Sequence, residues 1–268
     1  MFRSAIVAAI GALIVAAVPA AQAQSASFTY APGSHKYRVE SSTKVSQEVN
    51  GQTIDGELNA RHLLSLDISR GAKDTLSLAY TWDSASIATT GPVPSPDMSK
   101  VSGMKSSGRA APTGKVYSFD PGTPVAEDLP AMDEFEHFLP VVSAVNRKPG
   151  DTWVDTVTVS GNRGGIDVNT TIIVASTFAG DTTFGGEKSW QIRRNLTFTV
   201  AGSGAQQNMA MVIEGTGTGE RTDFITSKGV YLGSTTKQTA KSTISLPANN
   251  MTIPMTTTVT SKVERVKG

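Results

Sequence analysis

A histidine and an arginine occupy strand faces that are otherwise apolar, and they are the side chains best placed to do chemistry. His62 alternates with Leu64 along one segment, and Arg194 alternates with Leu196 along another. Because successive side chains of a strand point to opposite faces, both should point towards the core, where a charge is costly unless paired or solvated. We therefore hypothesise that His62 and Arg194 bind an anionic head group or carboxylate at the mouth of a cavity. The alternative is that each makes an ordinary hydrogen bond or lies near a strand end.

Apolar side chains in two segments that break the strand pattern form a second candidate site. Methionine side chains repack easily, so they suit an adaptable pocket for an apolar ligand. The alternative is that the same side chains form the core between helix and sheet. The candidate residues are Met98, Val101, Met104, Phe135, Phe138 and Leu139. The nearby carboxylates of Asp133, Glu134 and Glu136 are typical of a solvated helix face rather than of an acid–base pair.

The glycine-rich segments do not match the motifs of nucleotide-binding or hydrolytic enzymes. In Gly185–Ser189 the glycines are separated from the lysine, and Gly215–Gly219 lacks both the third spaced glycine and the helix that a dinucleotide site requires. The chain has no Gly-x-Ser-x-Gly sequence, and its 3 histidines lie in separate regions without any cysteine. We therefore expect no enzymatic activity, no cofactor and no metal.

The charge balance argues against nucleic acids and anionic membrane surfaces as partners. The chain has 24 basic and 23 acidic side chains, a net charge of +1, and these charges are scattered along the sequence. Binding of polyanions normally requires a basic patch.

The absence of cysteine also excludes disulfides and a lipid-bearing cysteine, so stability must come from an apolar core.

Alternation of apolar and polar residues recurs along most of the chain. It is strong in the segments Tyr37–Val49, Leu58–Ile68 and Ile166–Val174, and turn pairs such as Asn50-Gly51 and Lys228-Gly229 separate such segments. One polar face per strand favours antiparallel pairing. The pattern predicts an all-β fold, an antiparallel meander of about ten to twelve strands in a curved sheet, half-barrel or sandwich.

Two short helices are predicted in the segments that break this alternation. In the first, Ser95 is a favourable N-cap before Pro96, and Met98 then begins an apolar spacing of three. The second is expected over residues 128–145, where Pro140 should kink or end it.

The N-terminus has the three parts of a cleavable export signal. Arg3 supplies the positive charge, Ala5–Val18 is apolar but shorter than the ~20 residues of a membrane-spanning helix, and Pro19 ends its helical tendency. The small residues Ala21 and Ala23 fit a signal peptidase, so we expect cleavage after Ala23, a helical signal peptide over residues 1–23, and a periplasmic or secreted protein without a permanent membrane anchor.

Leu139-Pro140, followed by Pro149-Gly150-Asp151 and Trp153, resembles a motif in a family of exported bacterial β-rich proteins of unknown function. In that family a Leu-Pro and a Pro-Gly-Asp-x-Trp mark the junction between two β-rich halves. Residues 149–151 should form a turn, and Trp153 should enter the core at the start of the next strand. By looser, fold-level analogy, the chain is similar to the periplasmic lipoprotein carriers, which hold acyl chains in a concave sheet.

These observations predict a single β-rich domain over residues 24–268. The likeness of Thr113–Tyr117 to Ser227–Tyr231 leaves open a division into two pseudo-repeated halves, about 28–127 and 150–268, joined by the second helix. The leading hypothesis is a non-enzymatic protein that binds a lipid or another apolar or amphipathic small molecule in a cavity of the curved sheet. The alternative is an envelope structural or protein-interaction module without such a cavity.

Overall fold

The structure is a computed structural model that describes residues 25–91, 98–122, 136–163, 165–206 and 209–267. Within these ranges the fold is all-β, and its strands form one curved, antiparallel sheet, as the alternation predicted. The eleven strands are β1 (Gly33–Val49), β2 (Gln52–Arg70), β3 (Leu76–Thr90), β4 (Lys105–Ala110), β5 (Val116–Asp120), β6 (Thr152–Arg163), β7 (Ile166–Phe184), β8 (Glu187–Gln206), β9 (Met209–Ile225), β10 (Tyr231–Leu246) and β11 (Met251–Val266).

The two ends of the chain meet in the middle of the sheet. The strand order is β5-β4-β3-β2-β1-β11-β10-β9-β8-β7-β6, so every neighbouring pair is consecutive in sequence except β1 and β11. That pair extends from Lys36 opposite Val266 to Gln47 opposite Met255. The edges are β5 and β6, which do not pair with each other in the part of the chain described.

Tight turns set the register of two of the longest hairpins. Asn50 and Gly51, between β1 and β2, have φ angles of 52° and 76°. Gly185 and Gly186, between β7 and β8, have φ angles of 57° and 79°. Two successive positive φ angles define the turn whose twist matches that of antiparallel strands, and Asn and Gly adopt them most easily.

Two segments outside the sheet cover one end of its concave face, and we call them the plug: residues 26–31 and 136–147. They pair with each other through reciprocal backbone hydrogen bonds of 2.8 Å between Ala26 and Arg147. The first segment also contacts the sheet, because the N–H of Ala31 donates to the carbonyl of Gly229 over 3.0 Å. Phe28 and Phe138 of the plug belong to the same buried core as the sheet residues, so the plug is an integral part of the fold.

The prediction of two short helices was wrong for the part of the chain that the structure describes. Met98–Lys100 is a single 3₁₀ turn, and residues 136–145 of the second segment consist of turns and extended backbone. In both segments the apolar side chains turn towards the core without a helical repeat, and hydrogen bonds to neighbouring segments, such as that from the Val142 N–H to the Thr113 carbonyl, replace those of a helix. Residues 92–97, 123–135 and the signal segment lie outside the described residues. No helix in the described ranges is long and apolar enough to cross a membrane.

Replacement of Gly229 by alanine tests how firmly the plug is seated. Gly229 has a φ of +78°, and a Cβ there would collide with the backbone carbonyl of Thr29. Gly51 has nearly the same φ, +76°, but nothing lies within 4 Å of its added Cβ. We expect G51A to cost about 1 kcal/mol from backbone strain, and G229A to cost about 1–3 kcal/mol more because the plug must move. Urea unfolding of both variants measures this, and equal losses would contradict the seating of residues 26–31.

Candidate functional site

The concave face changes character along the strands, and the strand register defines the change. Next to the plug, Tyr37, Leu64 and Ile192 are fully buried. One step further along the strands, six adjacent strands each place a polar side chain at the same level of this face. We call this level the polar row, and it consists of Ser41, Ser261, Thr236, Arg221, Arg194 and Ser176.

Beyond the polar row the concave face is mostly apolar, with a few polar side chains such as Gln238 and Thr257, and we call this region the apolar half. Its side chains alternate with polar residues on the outer face, as the register requires. Val174 and Leu196, next to the polar row, are buried, and the members further along keep intermediate exposure, so the region is a partly exposed surface. Representative members are Val45, Leu58, Ile172, Phe198, Ile213, Ile253 and Met255.

A buried ion cluster lies in the polar row and just beside it. The Nε of Arg194 donates to Oδ2 of Asp223 over 2.5 Å, and the Nε of Arg221 donates to Oδ1 of the same carboxylate over 2.7 Å. Arg194 also donates to the hydroxyl of Ser176, and Arg221 donates to the hydroxyl of Tyr231 over 3.1 Å. The side chain of Asp223 is 0% exposed and that of Arg194 is 4% exposed, whereas Arg221 retains 23%.

The electrostatics of this cluster keep Arg221 charged and Tyr231 neutral. Burial alone would lower the pKa of Arg221, but the charge of Asp223 raises it, and the net effect is a raised pKa. Burial raises the pKa of Tyr231 to about 12, although Arg221 acts in the opposite direction. The cluster therefore consists of two guanidinium groups paired with one carboxylate, and the phenol of Tyr231 beside them stays protonated at neutral pH.

The same cluster fastens the plug to the sheet. Arg194 donates to the carbonyl oxygen of Val141 over 2.8 Å, and the hydroxyl of Tyr30 donates to the carbonyl oxygen of Pro140 over 2.7 Å. Leu139, the preceding residue, is 2% exposed in the core. The Leu-Pro dipeptide noted in the sequence therefore lies next to the contact of Arg194 with the plug, where Tyr30 also joins the two plug segments.

His62 lies on the concave face of β2 and stacks on Trp82, with ring centroids 5.2 Å apart and an interplanar angle of 19°. Burial lowers its pKa, so the neutral form is favoured, and its Nδ1 has no hydrogen-bond partner among the described residues. β2 and β8 are five strand steps apart in the sheet order, which is roughly 24 Å along the sheet. The structure therefore places His62 and Arg194 at separate positions rather than in one two-residue site.

The apolar candidates lie in the packed core beside the plug. Met98, Val101, Phe138 and Leu139 belong to the buried cluster, and Met104 packs against it. Phe138 contacts both Tyr37 and Tyr231 edge to face, with centroids 5.1 and 5.8 Å apart. Phe135 lies outside the described residues. These side chains close one end of the concave face. The polar row separates them from the apolar half.

A turn precedes Trp153, at the start of β6. The Asp151 N–H donates to the carbonyl of Lys148, and the Asp151 carboxylate accepts the Lys148 N–H, both over 2.9 Å. Gly150 has a φ of 96°, and its N–H donates to the carbonyl of Phe178. Trp153 packs on the core, and the guanidinium of Arg147 lies 5.3 Å from its ring centroid.

Sequence reasoning missed Arg221 and Asp223. The signal was present, because the two residues are separated by one position and therefore share a strand face. The alternation that would have assigned this face is interrupted upstream by Gly215, Gly217 and Gly219, which have no side chains to mark it.

Comparison with protein-family models and with curated proteins finds no match. Among the described residues, no group of three or more His, Asp or Glu side chains is arranged to hold a metal ion.

Neutralising Asp223 should be far more costly than neutralising a carboxylate that is partly exposed. D223N leaves the buried guanidinium of Arg194 and the partly buried one of Arg221 without a counter-charge, and we expect a loss of about 3–5 kcal/mol in unfolding free energy. The matched control is D83N, because Asp83 pairs with Lys36 at 3.2 Å with side chains 23% and 58% exposed. The loss in unfolding free energy for D83N should stay below about 1 kcal/mol. Similar losses in chemical unfolding would contradict a structural role for the buried cluster.

Acidification should destabilise the protein partly through His62. The unfolded chain takes up a proton at the ordinary histidine pKa of 6.5, whereas the folded state resists it because the pKa of His62 is lowered. The unfolded state then binds more protons, so stability present above about pH 6.5 is lost as the pH falls below it. H62F keeps an aromatic ring against Trp82 and removes this titration. Urea unfolding at pH 7.5 and 5.5 should show a smaller acid loss in H62F than in the wild type, and an equal loss would refute the assignment.

Proposed function

We propose that this protein is an exported, non-enzymatic binding protein that holds the acyl chain of a lipid, or a similar apolar or amphipathic molecule, against its apolar half. The observation that carries the proposal is a concave sheet face that is apolar yet only partly covered. Export to the periplasm or the medium is proposed from the sequence of residues 1–23.

The size of the uncovered face supports an elongated ligand. From Gly219 to Ile213 on β9 the face extends about 20 Å along the strand, at ~3.4 Å per residue. Apolar patches of this kind are uncommon on monomeric proteins and mark binding sites. Each Å² of apolar surface that a ligand removes from water contributes about 25 cal/mol, so an acyl chain gains binding energy along its whole length.

The arrangement of the plug supports binding from one direction. The plug and the core beneath it occupy the concave face on one side of the polar row, and the apolar half remains on the other side. A bound chain would therefore lie along the strands with one end near the polar row. The fold-level analogy to carriers that hold acyl chains in a concave sheet is consistent with this arrangement.

Two adjacent isoleucines provide a matched test of which face binds. Ile172 lies on the concave face of β7, whereas Ile173 lies on the outer face and is 49% exposed. We expect I172E to weaken binding of Nile red, an uncharged apolar dye, at least about tenfold, because it places a charge under the ligand. I173E introduces the same charge one residue away and should leave binding within about twofold. Dye fluorescence titration measures both.

Absence of dye binding by the wild type, or equal effects of the two substitutions, would overturn the proposal. Either result would favour the alternative, an envelope structural or protein-interaction module. Native mass spectrometry of protein purified after export provides a second measurement, in which a co-purifying lipid is the expected result.

A further inference from the structure

We infer that the molecule bound on the apolar half carries a negatively charged head group, which pairs with the guanidinium of Arg221. This inference rests on the proposed function and specifies the chemical class of its ligand: an amphiphile with one apolar chain and an anionic end, such as a carboxylate.

The first argument is the imbalance of charge in the buried cluster. Arg194 and Arg221 share the single carboxylate of Asp223, and their other partners are neutral groups: the Ser176 hydroxyl, the Val141 carbonyl and the Tyr231 hydroxyl. A buried charge without a counter-ion is unfavourable, because the interior solvates it poorly. An anionic group beside Arg221 would balance the cluster.

The second argument is access. Arg194 is enclosed, and it is held by the plug through Val141. Arg221 retains 23% exposure of its side chain, so it is the member of the cluster that a ligand can reach. The residues that follow it on the concave face of β9, towards the apolar half, are Gly219 and Gly217. Neither has a side chain, and the ring of Phe198 from β8 lies over Gly217 while the aliphatic part of Gln238 from β10 lies over Gly219. The surface next to the guanidinium on this side is therefore formed by Phe198 and Gln238.

The third argument is the set of neutral hydrogen-bonding groups at the same level. Thr236 lies beside Arg221 on β10, and Ser261 and Ser41 continue the row across β11 and β1. Hydroxyl groups can donate hydrogen bonds to an anion. The acidic side chain on the concave face of β6, Asp155, is three strand steps from β9, about 14 Å along the sheet, and does not contact the cluster. The level is therefore suited to an anion rather than to a cation.

The test compares three amphiphiles that share a twelve-carbon chain and differ only in head-group charge. Laurate is anionic, dodecanol is neutral and dodecyltrimethylammonium is cationic. Each competes with Nile red for the wild-type protein, below the concentration at which it forms micelles. We expect laurate to displace the dye at a concentration about tenfold lower than dodecanol, and the cationic compound to be the weakest, because a charge-assisted contact to Arg221 distinguishes them.

Two variants then test whether Arg221 is the residue that causes the preference for an anionic head group. R221Q should remove the preference for laurate over dodecanol while Nile red still binds, and Asp223 keeps its pairing with Arg194 in this variant. R193Q makes the same change in net charge on the exposed outer face of β8 and should keep the preference. A preference that survives R221Q would overturn the assignment of the residue.

The outcomes separate this inference from the proposed function. If the wild type binds Nile red but laurate and dodecanol displace it equally, the anionic head group is refuted and the binding function stands. If the wild type does not bind the dye, the proposed function fails first. The comparison of the three amphiphiles uses only the wild type, so the inference stays testable even if R221Q does not fold.

Discussion

The pairing of one fully buried carboxylate with two guanidinium groups is the interaction on which the arrangement of the plug on the concave face depends. Asp223 orients Arg194 and Arg221 on neighbouring strands, and Arg194 in turn holds a backbone carbonyl of the plug. A buried charge pair of this kind gains little over an apolar core but is costly to break. Its value here is positional, because it fixes where the plug ends and where the uncovered part of the face begins.

The sheet separates two surfaces of different chemistry. On the outer face, Thr197, Thr218, Thr239 and Thr258 lie side by side across β8 to β11, where methyl and hydroxyl groups tolerate water. On the concave face most side chains outside the polar row are apolar, and the chain's own plug covers them on only one side of that row. The apolar half is therefore the surface to which the proposed ligand is assigned, because removing its side chains from water is favourable.

Much of the fold could be predicted from the sequence because strand alternation is a local signal. The strands, their antiparallel pairing and turns such as Asn50-Gly51 follow from residues close together in the chain. The helix predicted at Met98 was wrong, because a spacing of three also arises in an irregular segment whose side chains all turn inward. The pairing of β1 with β11 has no local signature.

The candidate site was harder to predict, for a similar reason. Arg194 was singled out because apolar neighbours on both sides mark its face. Arg221 and Asp223 lie beyond three alternating glycines, and their role depends on contacts with β8, β10 and the plug. His62 was placed on the correct face, but its stacking on Trp82 and its distance from Arg194 depend on the strand order. The resemblance to an exported family remains a prediction.

The position of β1 beside β11 also governs when the molecule can fold. The central pair joins residues from opposite ends of the chain, so the middle of the sheet cannot close until the last strand is available. Contacts this distant in sequence make folding slow, since the entropy of closing the loop is lost before the contacts are gained. A chain with this topology completes the middle of its sheet only after β11 has been synthesised. That delay is consistent with the export proposed from residues 1–23, since translocation across a membrane requires an unfolded chain.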